Sequence, residues 1–412
     1  MNDNIVSVID IGSTKVCCCI ANLLQSGGFE IMGAGYCVCL GVRSGIIVDL
    51  ESVEKSVAKA VEQAEKSADF RVKNVYVSVS GKSVESKIES MSLNVGGRII
   101  KNEDILRLFD YCNRDDEGEV AVIHSIPILY RADSLNGIKN PIGMIAENLS
   151  VKMNLVTVPK VQLNNLLMCL ARCHLDPIGI VASAYASGLC FGDEDEDTSG
   201  SRIVIDFGGG TTSAGFFYNG VFSGMAVIPF GGKNISDDVA YGLNISFANA
   251  ERLKTLHGAA FVSIHDESDT VFAPVIEDDD VITLRHVPKS SLNQIIQPRI
   301  EEILLMIKKK IDEFSPGDEF SRDVIITGGG SMLTGMRDFV SGILNRKTRI
   351  KKMEDFIDGS DIQIGNNFAA AVGMIKFAQM NNNYLSKVKK SANGLRSGGF
   401  FKKTLAWIES NL

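Results

Sequence analysis

The alternation of apolar and polar positions along the chain predicts a mixed α/β protein. Residues 5–9 form a short apolar run rich in β-branched side chains, and residues 15–22 have the pattern of a second strand. The five residues between them, Asp10 to Thr14, are therefore predicted to form the turn of a hairpin.

The same arrangement occurs again in the second half of the chain. Residues 202–205 have the pattern of a strand that ends at Asp206, and residues 213–218 have the pattern of the returning strand. The turn between them reads D-F-G-G-G-T-T. A strand–turn–strand unit that occurs twice predicts two related halves.

Helical periodicity appears between and after these units. It predicts helices over residues 52–68, 160–172, 292–314 and 366–380, whereas residues 83–161 mix strands with a helix near 103–113. A further strand over 324–327 runs into the turn G-G-G-S at 328–331, which a helix follows. Periodicity is lost over 381–399, where the composition predicts a flexible linker.

Length, charge and composition narrow the classes of protein. A chain of 412 residues is too long for one ordinary core and predicts two to four domains or subdomains. The net charge of −8 argues against nucleic acid as the main partner. There is no apolar run of about 18 residues, no basic signal region, and no cysteine pair with the spacing of a metal site. We therefore expect a cytosolic body with at most peripheral membrane contact.

The two hairpin turns have the chemistry of a phosphate site. Small residues let successive backbone N–H groups face one anion, and Lys15 adds a positive charge. Asp10 and Asp206 open the turns, and a carboxylate at a strand end suits a magnesium ion held mostly through water. The close backbone of the third turn would let a flat ring or a ribose pass.

Two other features are weighed and set aside. Ser80 to Ser83 resembles the end of a P-loop, but Tyr76 stands where that motif requires glycine, so Lys82 is predicted to be a surface residue. His124 and His174 are possible catalysts, although structural roles are expected for both.

Taken in order, D-I-G-S-T-K, D-F-G-G-G-T-T and G-G-G-S-M-L-T-G resemble the actin/Hsp70/sugar-kinase ATPase superfamily. The resemblance implies ATP and Mg²⁺ as cofactors, with Asp10 and Asp206 near the metal. Glu251 and Lys254, one turn apart on a helix, would reach the ribose, unless they form only a surface salt bridge. The implied nucleotide-binding residues are Asp10, Gly12, Ser13, Thr14, Lys15, Asp206, Gly208, Gly209, Gly210, Thr211, Thr212, Gly232, Glu251, Lys254, Gly328, Gly329, Gly330 and Ser331.

Residues 83–161 point to one branch of the superfamily. They contain I-H-S-I-P at 123–127 and G-I-K-N-P-I-G-M at 137–144, which resemble the inserted subdomain of the FtsA family of bacterial cell-division proteins. The implied fold is an α/β actin-like ATPase with two duplicated domains around a nucleotide cleft. The implied division is 1–82 with 162–198 (subdomain IA), 83–161 (inserted SHS2-like subdomain 1C), 199–245 with 315–380 (IIA), 246–314 (IIB), 381–399 (linker) and 400–412 (membrane-targeting helix).

The resemblance also implies a function. FtsA-like proteins form filaments with themselves and tether FtsZ filaments to the inner face of the cytoplasmic membrane at the division site, where they recruit later division proteins. The contact for the C-terminal tail of FtsZ would lie in residues 246–314, with Arg285 and Arg299 as basic candidates, and residues 83–161 would bind the later proteins. No catalytic residue is assigned. Where some relatives carry a water-orienting glutamate or glutamine, this chain offers only Gly179, so we expect tight ATP binding and slow hydrolysis.

Other functions on the same fold remain as alternatives. A small-molecule kinase would need a catalytic carboxylate in a substrate cleft, and the sequence shows no convincing candidate. A chaperone of the Hsp70 type would need a substrate domain after residue 380, where only 32 residues follow. A pilus-assembly homologue would lack the tail described next.

The last 13 residues have the pattern of an amphipathic helix. On a helical wheel the apolar side chains lie within an arc of roughly 160°, with Lys402 and Lys403 on the other side. Docking on the protein's own core is the alternative, but a helix in a membrane interface would better use the linker and its lysines. The predicted membrane-contacting residues are Phe400, Phe401, Lys402, Lys403, Leu405, Trp407, Ile408 and Leu412.

Overall fold

Two five-stranded sheets, each with its own helices, form the body of the protein. The computed structural model describes residues 4–24, 27–112, 118–191, 201–276, 282–314, 323–351 and 364–391. The first half contains β1 (Ile5–Ile11), β2 (Lys15–Leu23), β3 (Phe29–Val38), the short pair β4 (Val42–Arg43) and β5 (Ile46–Ile47), α1 (Leu50–Ala68) and β6 (Asn74–Val79). After an inserted subdomain it continues with α3 (Lys160–Arg172), β11 (Asp176–Ala182) and α4 (Ser183–Cys190).

The second half repeats the first sheet. It contains β12 (Arg202–Phe207), β13 (Thr212–Tyr218), β14 (Val221–Ile228), α5 (Gly232–Leu243), α6 (Phe247–His257), β15 (Thr270–Ile276), β16 (Ile282–Pro288), α7 (Lys289–Phe314), β17 (Asp323–Thr327), α8 (Met336–Leu344), β18 (Lys347–Ile350) and α9 (Ala369–Ser391). Three single 3₁₀ segments lie at Ile264–Glu267, Gly329–Met332 and Asn366–Phe368.

The order of the strands shows that the two sheets are duplicates. The first runs β11-β6-β1-β2-β3 and the second β18-β17-β12-β13-β14 when read from the matching edge. The hairpin registers also agree, because Asp10 pairs with Cys17 and Asp206 pairs with Ser213. The predicted duplication is therefore present at the level of single residue pairs.

Each sheet buries an apolar core against its helices. Strands β1, β2 and β6 read as almost continuous apolar runs because α1 lies on one face and α9 on the other, as expected for a sheet covered on both sides. Helix α1 follows Asp49, whose side chain accepts a hydrogen bond from Ser52 N and so caps the first turn. Its buried positions, Val53, Val57, Ala60, Val61 and Ala64, recur at helical spacing.

The inserted subdomain has a sheet and core of its own. Strands β7 (Glu85–Ile99), β8 (Val120–Ala132), β9 (Leu135–Ile138) and β10 (Ile145–Pro159) pair in the order β7-β10-β8-β9, and α2 (Asn102–Cys112) packs against them. Both terminal guanidinium nitrogens of Arg98 donate hydrogen bonds to the Asp104 carboxylate, with N···O distances of 2.7 and 2.8 Å. These hydrogen bonds lower the pKa of that carboxyl to about 2. The predicted mixture of strands with one helix is confirmed.

The end of the body differs from the prediction. Helix α9 runs to Ser391 instead of stopping near Met380, so residues 381–391 of the predicted linker are helical in their backbone. Residues 381–391 contain no glycine or proline, and Leu385, Lys387 and Lys389 favour helix, so nothing ends the helix where the apolar periodicity fades. The tail over 400–412 lies outside the described residues. Among the described helices, none is long and apolar enough to cross a membrane.

Helices α4 and α9 cross at very close range, where both pack beside the first sheet. A Cβ placed on Gly373 of α9 would lie 1.7 Å from the carbonyl oxygen of Ala186 in α4. Helix α4 also contacts β12, β13 and β14 of the second half. Only glycine allows the two backbones to approach so closely.

We therefore expect Gly373→Ala to destabilise the protein by more than about 2 kcal/mol, because the new methyl group overlaps backbone that cannot move aside. Gly342→Ala is a matched control, since it also lies in a helix and a Cβ there meets no atom within 4 Å. That change should stabilise by about 0.5–1 kcal/mol. Urea denaturation of the two variants measures both effects, and equal stabilities would refute the close-crossing explanation.

Candidate functional site

A cavity of about 530 Å³ lies between the two halves, at the ends of β1, β12 and β17. Its volume falls within the ~300–1,000 Å³ of typical small-molecule sites. All three predicted turns line it, together with Gly232, Glu251 and Lys254. Of the predicted nucleotide-binding residues, all except Thr212 and Ser331 lie on its wall.

The two hairpin turns close in the same way and face each other. Gly12 N donates to Lys15 O at 2.9 Å, and Gly208 N donates to Thr211 O at 3.0 Å. A Cβ on Gly209 would lie 2.3 Å from Thr14 Cγ2 of the opposite turn. Glycine is therefore needed at 209 because the side chain of Thr14 occupies the space of a Cβ there, and the small residues leave backbone N–H groups on both sides of the gap between the turns.

The two aspartates sit deep in this cavity, each with a serine partner. Asp10 Oδ1 accepts from Ser78 Oγ at 2.6 Å, and Asp206 Oδ2 accepts from Ser187 Oγ at 2.5 Å. Burial raises the pKa of both carboxyls; that of Asp206 rises to about 6, with the charge of Asp10 adding to the increase. A bound cation would stabilise the charged forms of these two buried carboxylates, and oxygen donors are the ligands that Mg²⁺ prefers. The residues present fit a hydrated magnesium ion.

Lys15 is held at the edge of the cavity by residues that the sequence did not indicate. Its Nζ donates to the Asn367 side-chain oxygen at 2.6 Å when that amide is oriented to donate to Gly365 O. The same ammonium lies 4.6 Å from the centre of the Phe368 ring. Asn367 and Phe368 lie in the 3₁₀ turn that starts α9, so the beginning of this helix forms part of the cavity wall.

The third turn and α6 form the opposite side. Gly328 has φ of 82°, a left-handed conformation that favours glycine, and a Cβ on Gly330 would lie 2.1 Å from Phe207 Cδ1. Lys254 Nζ donates to Glu251 Oε2 at 2.7 Å and to Gly232 O at 2.9 Å. Burial lowers the pKa of Lys254. The pair is thus a salt bridge on the cavity wall with a buried lysine, and its contact with a ribose stays a prediction.

The hydroxyls of Thr212 and Ser331 are used inside the protein, which corrects the prediction that they face a ligand. Thr212 Oγ1 donates to Phe230 O at 2.9 Å, and Ser331 Oγ donates to Gly328 O at 2.7 Å. Both residues are fully buried beneath the turns that they brace. Strand alternation explains the first, because Thr212 begins β13 and points to the face opposite Thr211.

The remaining candidates lie away from the cavity. His124 Nε2 accepts from Ala182 N at 3.1 Å, and burial lowers the pKa of this histidine to about 3, so its role is structural. His174 is exposed at the turn after α3, and Lys82 is exposed as predicted. A Cβ on Gly179 would lie 2.6 Å from Tyr76 Cδ1, so the ring of Tyr76 occupies the space of a larger side chain there.

The two arginines proposed for FtsZ contact lie on the second half. Arg285 of β16 is exposed, and its guanidinium donates to Leu243 O at 2.6 Å. Arg299 of α7 binds both carboxylate oxygens of Asp238, at 2.6 and 3.0 Å, and also pairs with Glu302. Arg285 is therefore the more available of the two for a partner.

Comparison with known proteins identifies relatives along the whole chain. Residues 203–373 match the family model of cell division protein FtsA, and residues 81–157 match that of the SHS2 domain inserted in FtsA. The chain is 33% identical over 388 residues to cell division protein FtsA of Rhizobium meliloti (strain 1021), covering 92% of this chain and 88% of that protein. It is 26% identical to cell division protein FtsA of Escherichia coli (strain K12), covering 97% and 96%.

Solved structures share the fold at low sequence identity. A chain of the PilM–PilN type IV pilus biogenesis complex has a TM-score of 0.63 at 13% identity, covering 90% of this chain and 97% of that chain. MreB5 of Spiroplasma citri bound to ADP has a TM-score of 0.55 at 12% identity, covering 94% and 99%. With the matched inserted domain, these similarities confirm an actin-like fold with an FtsA-type insertion.

The raised pKa of Asp206 predicts a pH-dependent stability. Its folded value of about 6 exceeds the ordinary 3.8, so the unfolded chain loses this proton first and stability falls as pH rises through that window. Asp206→Asn removes the free-energy cost of burying the ionised carboxylate. Without ligand, the variant should match the unsubstituted protein near pH 4 and exceed it by up to about 3 kcal/mol at pH 7.

Denaturant unfolding at a series of pH values measures the difference between the two proteins. The exposed Asp312→Asn on α7 is the control and should show no such divergence. If the advantage of Asp206→Asn were the same at pH 4 and pH 7, the burial of an ionised carboxylate would not be its cause.

Proposed function

The chain belongs to the FtsA family of cell-division proteins, and from this premise we propose that it is an ATP-binding, filament-forming protein that tethers FtsZ filaments to the inner face of the cytoplasmic membrane. The observation that carries the nucleotide part is the cavity, where two glycine turns face each other and each follows a buried aspartate. Small-molecule phosphotransfer is less well supported, because the described cavity wall carries three carboxylates and none is left for a substrate: Asp10 and Asp206 suit the magnesium ion, and Glu251 is paired with Lys254.

Each wall of the cavity has a part in holding Mg·ATP. The backbone N–H groups of residues 12–15 and 208–211 bind the phosphates, and Lys15 adds charge. Asp10 and Asp206 hold the hydrated magnesium ion, which would neutralise phosphate charge. Glu251 and Lys254 lie on the ribose side, and the bare backbone of residues 328–330 accepts the base.

The cleft is better suited to binding than to rapid hydrolysis. Strand β11 leads into the cavity through Ser183 and Ala184, which offer no carboxylate or amide to orient water. Gly179 cannot be replaced by a longer side chain without displacing Tyr76. We therefore propose that ATP sets a conformational state and that its hydrolysis is slow.

The partner contacts follow from charge and from the family. Arg285 lies on the exposed β15–β16 hairpin within the region proposed for the acidic tail of FtsZ. The inserted subdomain, which has its own sheet and core, is the proposed contact for later division proteins. The amphipathic sequence over 400–412 is the proposed membrane anchor, and filament formation would strengthen its weak single contact by avidity.

Nucleotide binding is tested by titration calorimetry with Mg·ATP. Lys15→Ala should weaken binding at least tenfold, because a charge-assisted contact to phosphate is worth roughly 1.5–3 kcal/mol. Lys82→Ala is the matched control, since this lysine of the P-loop-like sequence S-G-K-S is exposed and does not line the cavity, and it should change nothing. Equal loss in both variants would contradict the assignment of the site.

Membrane tethering is tested by cosedimentation with anionic vesicles in the presence of FtsZ. Trp407→Glu places a charge on the apolar face of the tail and should abolish recruitment of both proteins, while Mg·ATP binding is retained. A chain that ends at Ser391 keeps α9 and should behave alike. If either protein still carried FtsZ to the vesicles, the tether would lie elsewhere; if Trp407→Glu lost ATP binding, the tail would instead dock on the body.

A further inference from the structure

The two carboxylates of the cavity are held differently in the two halves. Strands β1 and β6 pair in parallel, so Asp10 lies beside Ser78, whose hydroxyl donates to Asp10 Oδ1 at 2.6 Å. Strands β12 and β17 pair in parallel in the equivalent register, which places Thr327 beside Asp206. Thr327 therefore has the position in the second half that Ser78 has in the first.

Thr327 does not make the equivalent hydrogen bond. Asp206 instead accepts from Ser187, which lies on α4 and belongs to the first half. Within the part of the chain that the structure describes, Thr327 Oγ1 has no hydrogen-bond partner, although the residue is fully buried. Leaving a buried hydroxyl without a partner costs free energy that folding must recover elsewhere, so this hydroxyl requires an explanation.

The carboxylate of Asp206 lies close enough for Thr327 to reach it. A Cβ on the next residue, Gly328, would lie only 2.3 Å from Asp206 Oδ1, so this oxygen rests against the end of β17. Neighbours in register on parallel strands project their side chains to the same face. A change between staggered χ1 positions is enough to turn a threonine hydroxyl toward such a neighbour.

We propose that Thr327 is a positioning residue for Asp206 in the nucleotide-bound cleft, where its hydroxyl donates to the carboxylate as Ser78 donates to Asp10. The inference rests on the proposed binding of Mg·ATP. Ser187 holds Asp206 in the ligand-free protein, and Thr327 replaces it in the bound cleft, where Asp10 and Asp206 would hold the hydrated cation. The exchange turns a hydrogen bond between the halves into one within the second half, so α4 is released from β12 at this point.

The test compares ligand-free stability with Mg·ATP affinity in variants of the full chain. Thr327→Val keeps the shape of the side chain and removes the hydroxyl. Its ligand-free thermal midpoint should be unchanged or higher, whereas its Mg·ATP affinity should fall about tenfold below that of the unsubstituted chain. In EDTA the two proteins should bind ATP equally, because the hydroxyl acts only when Asp206 faces the metal. Thr327→Ser should retain the affinity.

Two further variants separate this role from packing. Thr348→Val in the neighbouring β18 removes a buried hydroxyl that donates to Arg346 O at 3.2 Å, and it should leave Mg·ATP affinity unchanged. Ser187→Ala should show the opposite pattern to Thr327→Val, with a lower ligand-free midpoint and undiminished affinity.

Unchanged Mg·ATP affinity in Thr327→Val overturns the proposal, and so does a loss of affinity that accompanies a lower ligand-free midpoint, which would indicate packing. Failure of the unsubstituted chain to bind Mg·ATP is a different result, because it refutes the proposed function before any variant is compared.

Discussion

The burial of two like-charged carboxylates in one cleft is the constraint on which the rest of the site depends. Asp10 and Asp206 lie at the ends of equivalent strands in the two halves. Burial removes each carboxylate from water, which raises the free energy of its charged form. A fold tolerates this only where other groups compensate, and here the hydroxyls of Ser78 and Ser187 and the charge of Lys15 do so. The same arrangement leaves room for a cation. The buried carboxylates that destabilise the empty cleft are therefore also the groups that would bind the metal ion.

The scaffold keeps the carboxylates in place through close backbone contacts. Gly373 allows α9 to lie directly against the Ala186 carbonyl oxygen of α4, and Gly188 of α4 leaves space for the ring of Phe217. The first contact fixes α9 on α4, and the second fixes α4 against β13 of the second half. The N-terminal residues of α9 then line that cavity, so the helix that leads to the C-terminal tail begins at the candidate site.

Much of the fold and of the site could be predicted from the sequence because the duplicated hairpins are local. A strand, a turn of small residues and a returning strand specify their own register, and the aspartate at each strand end marks the turn. The partners Ser78, Ser187 and Asn367 could not be predicted, since each reaches the site from an element distant in sequence. Periodicity also failed at the end of α9, because helix propensity continues the backbone helix beyond Met380, where the apolar periodicity of the sequence fades.

The inserted subdomain is tied to the cleft by a contact that neither periodicity nor motif reveals. Asn154 of β10 is fully buried; its amide accepts from Ser86 Oγ at 2.6 Å and donates to Phe222 O of β14 at 3.4 Å. The same strand β14 carries Met225 and Val227 into the cavity wall. A displacement of β14 would therefore act on Asn154 directly. If Phe222 O moved away, the buried amide would lose its hydrogen bond, and leaving a buried donor without a partner costs free energy. This geometry connects the contents of the cleft to the inserted subdomain.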